Sequence, residues 1–345
     1  MRILLHEHYS SLPPRAAPAS LRRAGRAMCD AVRRELDLLP RVTILSAPPS
    51  SRAEGNFRRS LGGADAALVI APEGHGHLAR LARTVERSRV TPLGCGPHAA
   101  RLAGDKMETA RLLERAGIPT PTTRRVGSGT AGLRGLARVP LPLVLKPRDG
   151  CGAAGVEVVR RAGDLAAALR RARRAAAGSD VIVQPYLAGA PISVSLLVRR
   201  DPRRRRGGST ALVLAVGRQR IAGRRSLSYL GGDMPLRGAA ATAAARLALR
   251  ATAALARSAA DLRGPVGVDL VLAAAGPVVI EINPRLTTSW IGLRRIARVS
   301  LAGLLLDAAR GRPLPRRIAL AGRCRFSAGG RVVMLRRGAA GRRQR

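Results

Sequence analysis

The sequence has 345 residues, enough for two or three subdomains, and its apolar fraction of 46% excludes wholesale disorder. No run of about 18 or more apolar residues predicts a membrane span, and the start is too short in apolar residues for a signal peptide. The formal charge of +41 would suit a nucleic-acid-binding protein, but its arginines are scattered along the whole chain. We therefore favour a biased composition and expect no specific nucleic-acid partner.

Short β-rich runs alternate with helical patterns in the first hundred residues. Strands are predicted at Arg2–His6, Val42–Ser46 and Ala66–Ala71, and helices at Leu21–Leu39 and His77–Ser88. This alternation predicts a parallel sheet covered on both faces. Ligands are expected at the carboxyl edge of such a sheet.

The rest of the chain mixes strands and helices in a less regular order. The predicted helices are Gly104–Gly117, Asp164–Ala177 with Asp164 as its cap, 238–260 and Ser300–Arg310. The predicted strands are Leu143–Lys146, Val156–Arg160, Val181–Gln184, Ser193–Val198, Leu212–Val216, Val266–Leu272 and Val278–Asn283. A polar hairpin loop is expected at Arg199–Ser209, and a basic tail at the end.

A glycine loop separates two of these strands. Gly150, Gly152 and Gly155 match the spacing G-x-G-x-x-G, but a β run follows them where a dinucleotide-binding loop would need a helix. A glycine loop on a hairpin can cover phosphates with its backbone N–H groups. Lys146 ends the strand before the loop, where a charge beside a core calls for a partner. A turn without a ligand is the alternative.

The last two strands predict a metal site. If Val266–Leu272 and Val278–Asn283 form a hairpin closed by Ala274–Gly276, Asp269 faces Glu281 directly and Asn283 lies on the same face. Val268, Leu270, Ile280 and Ile282 would then face the core. Two opposed carboxylates repel each other unless a cation lies between them, and with an amide oxygen they suit Mg²⁺. The alternative is a surface pair neutralised by arginine.

Residue types that are rare in this chain cluster near these motifs. Only two of the 62 basic residues are lysines, Lys106 and Lys146, and Gln184 is one of three glutamines. A residue that persists against a compositional bias is more often kept for its chemistry. Gln184 and Tyr186 end a strand before a turn, where a two-lobed nucleotide enzyme would have its hinge. Four cysteines without metal-binding spacing favour reduced thiols and a cytoplasmic location.

In order and spacing, these motifs together resemble the ATP-grasp superfamily over roughly residues 1–325. The matching segments are Asp105-Lys106, Val144–Pro147, Asp149–Val156, Val183–Tyr186, Gly267–Asp269 and Val279–Arg285. The resemblance implies an α/β protein with the ATP-grasp fold, in which an N-terminal pre-ATP-grasp α/β domain precedes two α+β lobes that clasp ATP. The implied boundaries are 1–100 for the first domain, 101–180 for the small lobe with the glycine flap, 181–325 for the C-terminal lobe with the metal hairpin, and 326–345 for the basic tail.

The resemblance also assigns roles to residues. Lys106 and Lys146 would bind ATP phosphates, Gly150, Gly152 and Gly155 would close over the triphosphate, and Gln184 and Tyr186 would lie at the adenine. Asp269, Glu281 and Asn283 would hold Mg²⁺, with Mn²⁺ as an alternative. Arg285 and Lys146 would act on the transferring phosphate, or Arg285 on the acyl substrate. The implied enzyme is a carboxylate–amine ligase that works through an acyl-phosphate and releases ADP.

A narrower resemblance concerns the substrates. Ala71–Glu73 and Glu281–Trp290 look like the tyramine–glutamate ligase group of methanofuran biosynthesis and its methylotroph relatives. Gly217-Arg218-Gln219 departs from that group, whose members tend to carry an Asn-x-Gln-like motif there. The expected partners are a small carboxylate and an amine. The alternatives are a catalytically degenerate regulatory ATP-binding protein and an arginine-rich nucleic-acid-binding protein.

The substrates are expected between the first domain and the metal hairpin. His6–Tyr9 and Glu73 would line one side, and Arg285–Thr288 with a loop at Tyr229–Asp233 the other. Arg285 would grip a carboxylate and Glu7 or Glu73 an ammonium group. Tyr9 or Tyr229 would face an aromatic ring. His6 and His8 are interpreted as loop contacts rather than metal ligands.

Overall fold

The first domain is built on a four-stranded parallel sheet of order β2-β1-β3-β4. We describe residues 1–200 and 209–335 from a computed structural model of the protein. The elements of this domain are β1 (Arg2–Glu7), α1 (Ala19–Leu36), β2 (Thr43–Leu45), α2 (Ala53–Leu61), β3 (Ala66–Ile70), α3 (His77–Glu86) and β4 (Thr91–Pro92). The predicted parallel sheet is confirmed. Strands β1 and β3 are buried almost throughout because helices cover both faces.

A small lobe follows, with a four-stranded sheet of order β5-β8-β6-β7. Its elements and the helices before it are α4 (Pro97–Gly104), α5 (Lys106–Arg115), β5 (Arg124–Arg125), α6 (Gly129–Ala137), β6 (Leu143–Pro147), β7 (Glu157–Val159), α7 (Leu165–Ala176) and β8 (Val181–Pro185). The helix predicted at Gly104–Gly117 corresponds to α5, which begins at Lys106 because Asp105 has extended backbone and caps it by accepting the N–H groups of Met107 and Glu108. Asp164 precedes α7, but its side chain makes no capping bond.

The last lobe carries a seven-stranded antiparallel sheet of order β13-β12-β9-β10-β11-β14-β15. Its elements are β9 (Ala190–Arg200), β10 (Ser209–Ala222), β11 (Ser228–Met234), α8 (Ala239–Ser258), β12 (Gly264–Ala273), β13 (Gly276–Asn283), α9 (Ser289–Ile296), α10 (Leu301–Ala309), β14 (Arg323–Ser327) and β15 (Val332–Leu335). The tip of the predicted Arg199–Ser209 loop, residues 201–208, lies outside the described residues.

Three sequence predictions about this lobe are wrong. The loop expected at Tyr229–Asp233 is part of strand β11, which pairs with β10 and β14. The boundary drawn after residue 180 divides the small lobe, because β8 pairs with β6 rather than with the large sheet. The basic tail drawn from residue 326 includes strand β15, and the rest of that tail, 336–345, lies outside the described residues. The other domain limits stay predictions.

The cores join the first domain to the last lobe and leave the small lobe separate. One buried cluster runs from Leu4 and Val69 of the first sheet through α8 to Val268 and Val279 of the hairpin. Another packs α1 against α9 and α10. The small lobe has its own cluster around Leu143. Among the helices described, none is long and apolar enough to cross a membrane.

Candidate active site

The β12–β13 hairpin places a row of polar residues across one face of the large sheet. Asp269 pairs with Glu281 on one side and with Ser193 of β9 on the other. Asn283 lies two pairs further along the hairpin, opposite Gly267, and its Nδ2 donates to Asp269 Oδ2 over 3.2 Å. The predicted pairing of Asp269 with Glu281 is therefore confirmed. Their role as metal ligands stays a prediction.

The outer half of the hairpin differs from the predicted register. A bulge between Asp269 and Leu270 shifts the pairing by one residue, so that Leu270 faces Val279 instead of Ile280. Val279 is fully buried in the core, whereas Ile280 is only partly buried. Beyond the last pair, which joins Ala273 to Gly276, a two-residue turn closes the hairpin. Because the bulge lies beyond Glu281, it leaves the two carboxylates opposite each other.

The two carboxyl groups of this pair have different proton affinities. Burial, followed by the charge of Glu281, raises the pKa of Asp269 to about 7, although hydrogen bonds from Ser193 and Gln219 oppose the rise. Burial also pushes the pKa of Glu281 upward, but the charges of Lys106, Lys146 and Arg285 outweigh it and hold that pKa below its usual range. Glu281 is thus ionised at neutral pH, whereas the pKa of Asp269 lies close to neutral pH.

The two lysines of the chain converge on Glu281 from different elements. Lys146 comes from β6 and is 4% exposed. Burial and the neighbouring Lys106 lower its pKa to about 8, against the opposing charges of Glu281 and Asp269. Lys106 is the first residue of α5, and its Nζ lies 3.6 Å from Glu281 Oε2. A bidentate ion pair between Arg148 and the capping Asp105 ties this end of α5 to the strand that carries Lys146.

The glycine loop between β6 and β7 folds back onto the first domain. Gly150, Gly152 and Gly155 have backbone φ values of 122°, 68° and 72°, which residues other than glycine rarely adopt. Lys106 Nζ donates to Gly150 O over 2.9 Å. The backbone N–H of His75, in the first domain, donates to Asp149 Oδ2 over 2.8 Å. The prediction that the loop joins two strands of one hairpin is confirmed by the β6–β7 pairing.

Gln184 and Tyr186 lie where β8 leaves the small lobe. Gln184 is buried, and its Nε2 donates to Thr123 Oγ1 over 2.7 Å, which leaves its carbonyl oxygen as the available group. The backbone N–H of Tyr186 donates to Pro142 O. The Arg160 guanidinium lies 4.8 Å from the centroid of the Tyr186 ring, within cation–π range.

Arg285 and the predicted ammonium ligands already have partners. Arg285 donates to both carboxylate oxygens of Glu73 over 2.8 and 3.1 Å, and their side chains are 11% and 4% exposed. The carboxylate of Glu7 accepts the backbone N–H groups of Tyr9 and Ser10. The expectation that Arg285 is available to grip a carboxylate, or Glu7 or Glu73 an ammonium, does not match this arrangement.

The predicted aromatic contacts also have defined neighbours. Tyr229 Oη accepts a hydrogen bond from Thr288 Oγ1 over 2.9 Å, and burial raises the pKa of Tyr229 above its usual range. Tyr9 lies near Cys151 of the glycine loop. The carboxylate of Asp233, at the end of the same predicted loop, forms a bidentate ion pair with Arg325.

Two residues of the site were missed. Ser193 and Gln219 lie beside Asp269, and both oppose the rise of its pKa. Gln219 offered a signal, because glutamine is rare in this chain and the residue lies in the noted Gly217-Arg218-Gln219 departure. Ser193 offered none, since only its register with Asp269 brings it there.

His6 and His8 lie buried at the end of β1. Burial lowers the pKa of His6 to about 4 and, with His77 nearby, that of His8 to about 3. Their rings contact Phe57 and His77 with centroid distances of 4.5 and 4.1 Å. No group of three or more histidine, cysteine or acidic side chains among the described residues is arranged to hold a metal ion.

Family models and known proteins match most of the chain. Residues 103–289 match the model described as "ATP-grasp domain", and residues 27–100 match "pre ATP-grasp 3 domain". A tyramine–L-glutamate ligase of Methanocaldococcus jannaschii is 28% identical over 250 residues, which are 72% of this chain and 64% of that protein. The match thus spans slightly less than two thirds of the relative's length. A D-alanine–D-alanine ligase of Mycobacterium tuberculosis is 31% identical over 59% of this chain and 56% of its own.

A solved structure extends the likeness of the fold to nearly the whole chain. It is a putative ATP-grasp superfamily protein from Archaeoglobus fulgidus, with a TM-score of 0.66 and 23% identity. The match covers 95% of this chain and 92% of that one.

Proposed function

The chain belongs to the ATP-grasp family, and on that premise we propose that it is an ATP- and Mg²⁺-dependent ligase joining a carboxylate to an amine. The observation that carries the proposal is the pair of opposed carboxylates, Asp269 and Glu281, beside Lys106 and Lys146. Cations and anions held together out of water are costly unless a ligand completes the charge balance. A triphosphate would pair with the two lysines, and a divalent cation bound to it would pair with the two carboxylates.

The donor set fits Mg²⁺. Asp269 and Glu281 offer carboxylate oxygens, and Asn283 keeps its carbonyl oxygen available because its Nδ2 is turned to Asp269. Burial and then the charge of Glu281 raise the pKa of Asp269 to about 7, and a divalent cation beside it would favour the charged carboxylate. Asp269, Glu281 and Asn283 would hold the ion, which would supply positive charge against the negative charge that develops during transfer. Mn²⁺ accepts the same oxygen ligands.

In the proposed reaction, an oxygen of the substrate carboxylate attacks the γ-phosphorus of ATP, and the bond to the β-phosphate oxygen breaks to release ADP. Lys146 and Lys106 would hold the phosphates as point charges from two sides. The glycine loop would cover the phosphates with its N–H groups and exclude water from the acyl-phosphate. Gln184 and Tyr186 would lie at the adenine, since they end the strand behind that loop.

In the second step, the amine nitrogen attacks the acyl carbon, phosphate leaves, and the nitrogen loses a proton to form the amide. We assign Arg285 to the charge of the transferring phosphoryl group. Its guanidinium is fixed by Glu73 and lies close enough to Glu281 to lower that residue's pKa. A positive charge that is already oriented needs no reorganisation during the reaction. No protein nucleophile is required.

For the substrates we propose glutamate and an aromatic amine such as tyramine, by analogy with the ligase named for the M. jannaschii relative. Tyr229, which is bonded to Thr288, and Tyr9, which lies near Arg285, offer apolar ring surface for the amine. Because Glu73 and Glu7 have partners, the ammonium group would need another acceptor or an exchange with Arg285.

The test is ADP release from purified protein with glutamate and tyramine, supplied together and separately, followed by mass spectrometry of the product. We expect rapid ADP release only with both substrates and Mg²⁺, and a mass equal to the amide. ADP release with other acid–amine pairs would refute the narrower proposal alone. A chain that binds ATP but releases no ADP with any pair would instead be a regulatory ATP-binding protein.

A second test addresses the arginine excess. We expect nucleic acid to bind without sequence preference and to dissociate steeply as salt rises, because scattered arginines contact only phosphates. A sequence-selective complex at physiological salt would favour the nucleic-acid alternative.

A further inference from the structure

A groove lined by arginines lies between the first domain and the last lobe. Its volume is about 440 Å³, within the range of roughly 300–1,000 Å³ common for small-ligand pockets. Its walls are α1, α9 and the turn between β14 and β15, and none of them carries the residues of the proposed nucleotide site. The arginines that line it are Arg23, Arg26, Arg34, Arg294 and Arg295.

The spacing of α1 explains why these side chains converge. Arg23, Arg26 and Arg34 are three and eight positions apart and share a face of the helix. Ala27 and Ala31 lie between them, and Gly329 and Gly330 form the opposite wall. A Cβ on Gly330 would lie 3.0 Å from the Cβ of Ala27. Small residues thus provide the depth, and long cationic side chains surround it.

The positive charge of the groove is poorly neutralised. Asp30 is the one carboxylate in its lining. The Nε of Arg294 is buried and has no hydrogen-bond partner among the described residues. Its nearest carboxylate oxygen, Glu35 Oε1, is 3.6 Å away. Among the described residues, Arg23, Arg26, Arg34 and Arg295 form no salt bridge.

Like charges meet at Arg294. Burial lowers its pKa, and the charges of Arg295 and Arg34 lower it further against the pull of Glu35. Guanidinium groups gathered around a partly buried one repel each other unless an anion lies among them. Planar donor forks also match phosphate oxygens bidentately, so several can share one polyphosphate.

From this groove we infer a second anion site that binds a small ligand carrying two or more phosphate groups. The ligand would lie between α1 and α9 and would contact both the first domain and the last lobe. This inference does not depend on the proposed ligase activity, because the groove is built from other residues.

The test is calorimetric titration with tripolyphosphate, without Mg²⁺. A Lys106→Ala/Lys146→Ala background removes phosphate binding at the proposed nucleotide site. We expect one tripolyphosphate per chain in that background. Adding Arg26→Ala/Arg34→Ala should weaken binding by about tenfold or more, the scale of losing two charge-assisted contacts. The matched control, Arg170→Ala/Arg174→Ala, removes the same charge from exposed positions of α7 and should change affinity less than about twofold.

A second measurement uses the unmodified chain. Hydrogen exchange should slow in peptides from α1 and α9 when tripolyphosphate is added, with little change in α7. Equal weakening by the two arginine pairs, several ions bound per chain, or unprotected α1 and α9 would each overturn the site. Tighter binding of a single-stranded oligonucleotide that is lost in Arg26→Ala/Arg34→Ala would assign the groove to nucleic acid instead.

Discussion

A carboxylate pair and an ion pair of this molecule are built on opposite principles. On the β12–β13 hairpin, Asp269 and Glu281 face each other with like charges. At the junction of the first domain and the last lobe, Glu73 and Arg285 form a buried, bidentate ion pair. The two like charges of the first pair need positive charge from other groups, whereas the opposite charges of the second pair neutralise each other. Unbalanced charge thus marks where a ligand is expected, and balanced charge marks where geometry is held.

The largest expected effect tests the unbalanced pair. Glu281→Gln keeps the shape of the side chain but removes the charge that lies between the lysines. We expect ADP release to fall by about 10²–10³-fold, the scale of losing one preorganised charge-stabilising group. The melting temperature should fall modestly, because relief of the repulsion with Asp269 offsets only part of the lost attraction to Lys106 and Lys146. Glu108→Gln, a half-buried change on α5 whose carboxylate pairs with Arg111, is the control. Near-normal turnover in Glu281→Gln would contradict the metal assignment.

The next effect tests the balanced pair. Glu73→Gln leaves the buried Arg285 without a counter-charge, so we expect the free energy of unfolding to fall by about 1–3 kcal/mol. The control is Asp233→Asn, which breaks a pair of the same bidentate geometry at the surface and should cost less than about 1 kcal/mol. Denaturant titration measures both. An unchanged stability with a raised KM for the amine would instead make Glu73 a substrate ligand.

A pH series sharpens the comparison from the cationic side. The pKa of Lys146 is about 8, so the residue is mostly protonated at pH 7 and mostly neutral at pH 9. Phosphate favours the protonated form, and we expect ADP affinity to fall about tenfold between these pH values. Calorimetry measures it. Lys146→Arg should bind ADP more weakly at pH 7, because its planar fork replaces a compact ammonium, but with a flat profile. The same slope in both proteins would exclude Lys146 as its source.

The smallest effect concerns the support of the unbalanced pair. Ser193 pairs with Asp269 in the sheet, and its hydroxyl favours the charged form of that carboxyl group. Ser193→Ala should weaken the apparent Mg²⁺ affinity by about fivefold, the scale of one hydrogen bond. Ser195→Ala is the matched control, because Ser195 lies two residues along the same strand and contacts Ser289 instead. Magnesium titration of ADP release compares them. Equal shifts would mean that the strand, not the contact with Asp269, is responsible.

Much of the fold was predictable because its signals are local. Alternation of side chains along β12 and β13 predicted that Asp269 would face Glu281, and a β run after Gly155 predicted a loop between strands. The missed elements lack such signals. Strand β11 contains two glycines, and α2 and α6 are each nine residues long. The bulge at Ile280 was hidden because it depends on how Val279 fits the core.

The sequence by itself determined the family resemblance, the hairpin that holds the candidate metal ligands and the position of both lysines, because periodicity and turn chemistry act over a few residues. Only the tertiary structure decided that Arg285 is held by Glu73, that Ser193 supports Asp269, and that the first domain shares its cores with the last lobe. Glu73 and Arg285 are 212 residues apart. Sequence patterns that act over a few residues cannot predict which of the many arginines of this chain pairs with a given carboxylate. Burial of both side chains at one domain junction makes the selection.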